Sequence, residues 1–163
     1  MPHTRHPPVA DAERTPAARL SEAAMHDIVG YQLAQAAIVT DHVFTEQVGK
    51  PQGIRRVEFT ILALVHGNPD VSARQLALAL AVTPPNIAIW IDRLESRGLV
   101  ARTRSASDAR VQHIRATPAG ALLVERAVKL VVQAEQAALA TLSAAERAML
   151  VELLHKVALA RRR

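Results

Sequence analysis

Apolar residues recur at helical spacing along most of the chain, and the interruptions fall at proline, glycine and capping residues. From about Leu20 to Val48 no proline intervenes and only Gly30 weakens the pattern, which predicts one long helix of ~40 Å at ~1.5 Å per residue. Its polar residues His26, Asp27, Gln32 and Gln35 do not share one stripe, so the helix offers apolar surface on several faces and calls for cover on more than one side. Gly49-Lys50-Pro51-Gln52-Gly53 is expected to break it. Ile54 to His66 then carries Val57, Ile61, Leu62, Leu64 and Val65 at helical spacing, and Gly67-Asn68-Pro69-Asp70 stops that helix.

Two short helices follow. Ser72 caps the first, with Gln75 at the reciprocal position of a capping box, and Thr83 caps the second, with Pro84 at the tolerated first helical position. Only Ala81-Val82 separates them, which makes a helix-turn-helix. In the second helix Ile87, Trp90, Ile91 and Leu94 fall on one face, leaving Pro85, Asn86, Ile89, Asp92, Arg93 and Ser96 on the other. Gly98 supplies the left-handed C-cap. Leu99–Arg104 and Val111–Ala116 read as two strands of a hairpin around residues 105–110. Thr117-Pro118 starts a helix reaching about Leu139, and Ser143 with Glu146 caps a last one striped by Leu150, Leu153, Leu154 and Val157.

The expected fold is therefore mainly α with a small β-hairpin wing, an α+β winged helix-turn-helix flanked by N- and C-terminal helices. Residues 1–17, with four prolines and mixed charge, read as a mobile arm. Residues 18–50 hold the long helix, 51–120 the winged lobe, and 121–163 a linking helix and the terminal helix.

Composition narrows the chemistry. Four of 163 residues are aromatic and half are apolar, which favours closely packed helices over an aromatic-lined catalytic cavity. A net charge of +5 suits an anionic partner. The absence of cysteine excludes a disulfide framework, a thiolate zinc site and a thiol redox switch. The seven histidines form no metal-ligating spacing, and no cofactor is expected. There is no signal-peptide core and no membrane span, so a cytoplasmic location, on the nucleoid when bound to DNA, is the expectation.

The segments Gly30-Tyr31-Gln32-Leu33, Val57-Glu58-Phe59-Thr60-Ile61-Leu62 and Ile91-Asp92-Arg93-Leu94-Glu95 followed by Arg97-Gly98-Leu99-Val100 resemble the MarR family of transcriptional regulators. So does the wing's Ser107-Asp108-Ala109-Arg110 before Arg115-Ala116-Thr117-Pro118-Ala119-Gly120. The match spans about residues 20–160, and the joined Asp-Arg-Leu-Glu, Gly-Leu-Val and Asp-x-Arg elements are its most specific part. The resemblance implies a homodimer with intertwined first and last helices, binding a pseudo-palindromic operator in double-stranded DNA. It also implies a small aromatic carboxylate or phenolic effector in a cleft between the dimerisation helices and the DNA-binding lobe. Tyr31, His42, Arg55 and His66 are its candidate contacts, with packed or surface residues as the plainer reading.

On the DNA side, Arg102, Arg104, Arg110 and Arg115 outnumber the single Asp108 in the hairpin. Arg110 is the candidate for the wing tip, with Asp108 orienting its guanidinium and Ser107 beside them; an exposed salt bridge is the alternative. The reading helix begins Pro84, Pro85, Asn86, Ala88 and Ile89 on its exposed side, with no long guanine reader. Asn86 can pair with adenine and Pro85, Ala88 and Ile89 can touch thymine methyls, which predicts an A·T-biased half-site. Ser72, Arg74, Gln75, Thr83 and Arg93 are candidate backbone contacts near two helix N-termini. No catalytic motif is present. The rival to a DNA reader is a winged helix used as a protein-interaction or dimerisation module, with Ile89 at its interface; the steep salt dependence of DNA binding separates the two.

Overall fold

The computed structural model describes residues 14–104 and 112–161. The chain divides into two compact units, Met1–His42 and Val43–Arg163.

In the first unit the long helix begins later than its apolar pattern predicts. Residues 15–28 form turns, with Ala18 and Arg19 in left-handed backbone (φ 61° and 50°) and Arg14 paired in a short bridge with Ser21. Helix α1 spans Val29–Phe44. The turns are held by side chains that compete with helix formation: Thr15 Oγ1 accepts the Leu20 N–H, and the Tyr31 hydroxyl donates to the buried Glu22 carboxylate at 2.7 Å.

The break predicted over Gly49–Gly53 falls at the last residue of that segment, Gly53. After α1 the backbone widens into a π-helical turn, Thr45–Gly49, in which the Lys50 N–H reaches back to the Thr45 carbonyl. It then continues as a three-residue helix α2, Lys50–Gln52. Pro51 explains the widening, because its ring would clash with the carbonyl four residues earlier in a regular α-helix. Gly53, in left-handed backbone (φ 56°), ends the run.

Helix α3 (Arg56–Gly67), α4 (Ala73–Leu80) and α5 (Pro84–Ser96) follow as the sequence indicates. Strands β2 (Val100–Arg104) and β3 (Gln112–Ala116) pair antiparallel, Val100 opposite Ala116 and Arg104 opposite Gln112. A third strand, β1 (Val71–Ser72), is too short to leave an alternating signature; it pairs with β3 and makes the sheet order β1-β3-β2. Helices α6 (Pro118–Ala138) and α7 (Ala144–Leu159) complete the chain. No described helix is long and apolar enough to cross a membrane.

The core of the second unit joins Phe44, Val48 and Ile54 to Ile61, Leu62 and Val65 of α3, Leu76 of α4, Ile87, Ile91 and Leu94 of α5, Ile114 of β3 and Val124 of α6. Trp90, predicted inward, is half-buried against the edge of this cluster. Because α3 packs against α5, α6 and β3, it acts as the post on which the helix-turn-helix and the wing are both mounted.

Candidate DNA interface and ligand pocket

Ser72 and Gln75 form the predicted capping box. Ser72 Oγ accepts the Gln75 N–H at 3.3 Å, and Gln75 Oε1 accepts the Ser72 N–H at 2.9 Å. Their polar atoms are thus committed to starting α4, while Arg74 stands exposed beside them. Thr83 occupies the N-cap of α5, but its hydroxyl makes no capping bond. Pro84 and Pro85 have no N–H to offer it, and the Asn86 N–H goes to the Thr83 carbonyl at 3.1 Å. Thr83, Pro84, Pro85, Asn86, Ala88 and Ile89 are all exposed, Ile89 by 50%, so they form one open surface at the start of the reading helix.

Arg93, a candidate backbone contact, lies on the exposed side of α5 with Nη1 3.4 Å from the buried carboxylate of Glu58. Glu58 also accepts the Arg55 N–H at 3.0 Å, so one acid starts α3 and anchors α5.

The arginines of the hairpin divide into two kinds. Arg102 bonds both Asp92 and Glu95 of α5 through its guanidinium, and its own N–H meets Glu95 at 3.2 Å. The bond to Asp92, reinforced by the charge of Glu95, raises its pKa above the usual arginine value. Arg115 forms a two-pronged pair with Asp70, at 2.5 Å and 2.8 Å, which lowers the Asp70 pKa. The excess positive charge read from the hairpin is therefore smaller than its arginine count suggests. Two of the four hold the wing to the body. The signal was in the sequence: Asp92 and Glu95 lie one turn apart on the helix that leads through Gly98 into β2. Arg104 ends β2; Ser107, Asp108 and Arg110 lie outside the described residues.

Sequence reasoning also missed Arg97. From the C-cap of α5 it donates Nη1 to the Gly53 carbonyl (2.9 Å) and Nη2 to the Gln52 carbonyl (2.8 Å), filling acceptors left open at the end of α2.

The four effector candidates are divided between the two units. Tyr31 and His42 belong to the first unit, where Tyr31 is bonded to Glu22 and His42 is exposed. The bond to Glu22 raises the Tyr31 pKa by favouring the neutral phenol. Arg55 and His66 lie exposed at opposite ends of α3 in the second unit. None of the four lines the pocket of about 250 Å³ that opens between α6 and the π-helical turn. Its walls are Gln47, Val48 and Gln52 on one side, and Ala119, Leu122, Leu123, Arg126, Ala127 and Leu130 on the other. The apolar lining suits a flat hydrocarbon or ring, while two amides and one guanidinium can meet polar or anionic substituents.

Comparison with known proteins agrees with this architecture. The MarR family model matches residues 54–111, the segment from the start of α3 into the wing. A transcriptional regulatory protein for the hcr operon of Thauera aromatica is 29% identical over 140 residues, covering 86% of this chain and 84% of its own. The transcriptional repressor CouR, solved bound to a 23-mer DNA duplex, superposes with a TM-score of 0.76 at 31% identity, over 85% of this chain and 98% of that one. BpsR of Bordetella bronchiseptica, whose DNA binding is regulated by 6-hydroxynicotinic acid, gives a TM-score of 0.72 at 26% identity, over 82% of this chain and 95% of its own. With the helix-turn-helix, the three-stranded wing sheet and these likenesses over most of the chain in agreement, the chain belongs to the MarR family of DNA-binding transcriptional regulators.

Proposed function

We propose that the protein is a repressor that binds a pseudo-palindromic operator as a homodimer and is released by a small aromatic or phenolic effector. The observation that carries the DNA reading is the open surface at the N-terminus of α5, from Thr83 to Ile89, next to a wing whose root is fastened to the same helix by Arg102. Asn86 pairs with adenine, Pro85, Ala88 and Ile89 meet thymine methyls, and Arg104 and the wing residues Ser107, Asp108 and Arg110 reach the backbone and minor groove. Arg74 and Arg93 act on phosphates, and Ser72, Gln75 and Pro84 shape the helix ends that face them. CouR, solved on duplex DNA, supports this reading.

The dimer reading is supported by α7, which buries none of its residues and exposes Leu150, Leu153, Leu154 and Val157. Helix α6 exposes Leu122, Val128, Leu130 and Val132. Apolar surface of this extent is normally covered by a partner, and a second copy places two reading helices about one turn of DNA, ~34 Å, apart. The effector reading is supported by the pocket beside Arg126 and by the regulation of BpsR by 6-hydroxynicotinic acid. The residues Tyr31, His42, Arg55 and His66 remain proposed contacts of such a ligand in the dimer.

Selection from random duplex DNA tests the proposal. The expected product is an inverted repeat with A·T-rich half-sites about one turn apart, bound in a salt-sensitive manner reported by Trp90, the single tryptophan, in α5. G·C-rich half-sites would overturn the assigned readers. No enrichment, with flat Trp90 emission, would favour the interaction-module reading, to which the exposed Ile89 would then belong.

A further inference from the structure

We infer that Arg97 is a positioning residue that ties the reading helix to the wall of the pocket, so that filling the pocket displaces α5. The inference deepens the effector reading above and rests on it only for the chemistry of the natural occupant.

Arg97 ends α5, and its guanidinium reaches across the fold to the carbonyls of Gln52 and Gly53. Two parallel bonds from a planar group fix angle as well as distance, which one ammonium cannot do. Gln52 is itself a pocket residue, next to Gln47 and Val48. One residue therefore lines the pocket and gives its carbonyl to the end of the reading helix.

The segment that carries these groups is suited to move in a discrete step. Gln47 and Val48 lie in the π-helical turn, where the Lys50 N–H is bonded five residues back to Thr45. A π turn differs from an α turn by one residue of register, so its relaxation shifts the following residues as a unit. The facing wall is α6, which packs on both α3 and the π turn and so resists being pushed away. An occupant that wedges between α6 and Gln52 thus acts on the two carbonyls that hold Arg97. For such coupling the occupant must prefer one position of Gln52, and DNA on α5 then changes the occupant's affinity by the same factor.

The test is a double-mutant cycle on the full chain. Ala119→Phe places a ring in the pocket from the α6 side without any ligand, and Arg97→Met removes the two bonds from an exposed position. Operator affinity and Trp90 emission are read for both single variants and the double, with thermal midpoints confirming that each is folded. Ala119→Phe is expected to change the operator Kd by about five-fold or more when Arg97 is present, the lower end of ordinary allosteric coupling, and by under about two-fold with Arg97→Met. Arg97→Lys, able to hold one carbonyl, should fall between. The same fold-change on both backgrounds, or none when Arg97 is present, would overturn the inference. Should the protein bind no DNA, the Trp90 emission of the free variants decides in the same way. Titration with benzoate and 6-hydroxynicotinate, followed by melting temperature, tests the effector reading separately: an unchanged midpoint removes that ligand class and leaves the Ala119→Phe cycle to stand or fall alone.

Discussion

Arg102 of β2 and Asp92 of α5 form an ion pair that fastens the root of the wing to the reading helix, and Glu95 completes it one turn further on. The pair joins the two elements proposed to meet DNA, so its effect is on their relative angle. Arg102→Gln is expected to cost about 1 kcal/mol or less in stability, since the groups are partly exposed. It should nevertheless weaken operator binding several-fold while leaving the salt slope unchanged, because no phosphate contact is lost. A slope that falls by about one charge would mean that Arg102 touches the backbone directly and is not a brace.

Gly120 sits where the fold leaves no room for a side chain. A Cβ built there would lie 2.0 Å from the Leu99 carbonyl oxygen and 3.1 Å from Leu62 Cδ1. Leu99 cannot retreat, because the same carbonyl accepts the Thr117 N–H and the residue leads directly into β2. Gly120→Ala should therefore destabilise the protein by about 2–3 kcal/mol, measured by denaturant unfolding. A loss below about 0.5 kcal/mol would show that α6 can slide away from the sheet without strain.

The helix-turn-helix was legible in the sequence because its signals are local: Ser72 with Gln75, Thr83 with Pro84, and Gly98 each act within one turn of backbone. Strand β1 was not, since two residues cannot display a period. The start of α1 was misplaced for a different reason: Thr15 and Glu22 spend their side chains on turns that apolar periodicity does not reveal. The break over Gly49–Gly53 was legible from its glycines and proline, but the π turn that accommodates Pro51 and carries the helix on to the left-handed Gly53 was not. At the site, exposure of Asn86 and Ile89 followed from helical phase alone. The links from Arg97 to Gln52 and from Arg115 to Asp70 join residues more than forty positions apart, and nothing in local pattern pairs them.

Ala81 carries the turn of the helix-turn-helix in left-handed backbone, φ 53° and ψ 43°, where a Cβ is disfavoured. Its N–H and that of Val82 return to the carbonyls of Leu78 and Ala77, so the conformation is held by two bonds that glycine would also make. Ala81→Gly is expected to stabilise the fold by about 0.5–1 kcal/mol, after allowing for the greater freedom of glycine when unfolded. A lower thermal midpoint in the variant would contradict this, and would imply that the methyl group packs in the folded lobe.

Asp70 gives the stability an acid limb of known sign. The hydrogen bond from Arg115, aided by its charge, holds the carboxyl below the ordinary value of 3.8. A carboxylate that titrates lower when folded contributes stability that is complete above the unfolded value and is lost as pH falls through the folded one. Glu146, lowered by the Ser143 side chain that caps α7, adds in the same direction. Thermal midpoints should therefore fall below about pH 5, and Asp70→Asn should flatten part of that decline. An acid limb of equal steepness in the variant would show that the Arg115 pair contributes nothing to folding.

Arg74 and Asn86 offer a direct separation of affinity from sequence reading. Both are exposed, Arg74 on the first turn of α4 and Asn86 on the first turn of α5, and α4 packs against α5. An arginine beside a helix N-terminus adds attraction to any phosphate, so Arg74→Ala should weaken all duplexes alike and reduce the salt slope by about one. On the proposed reading Asn86 pairs with adenine, so Asn86→Ala should lower affinity for the selected site by about 1–3 kcal/mol and hardly alter binding to random duplex. Titrating both variants on selected and scrambled duplexes at three salt concentrations resolves the matter. If Asn86→Ala weakened both duplexes equally, the base-reading role would pass to the wing, and the A·T preference would have to come from groove width alone.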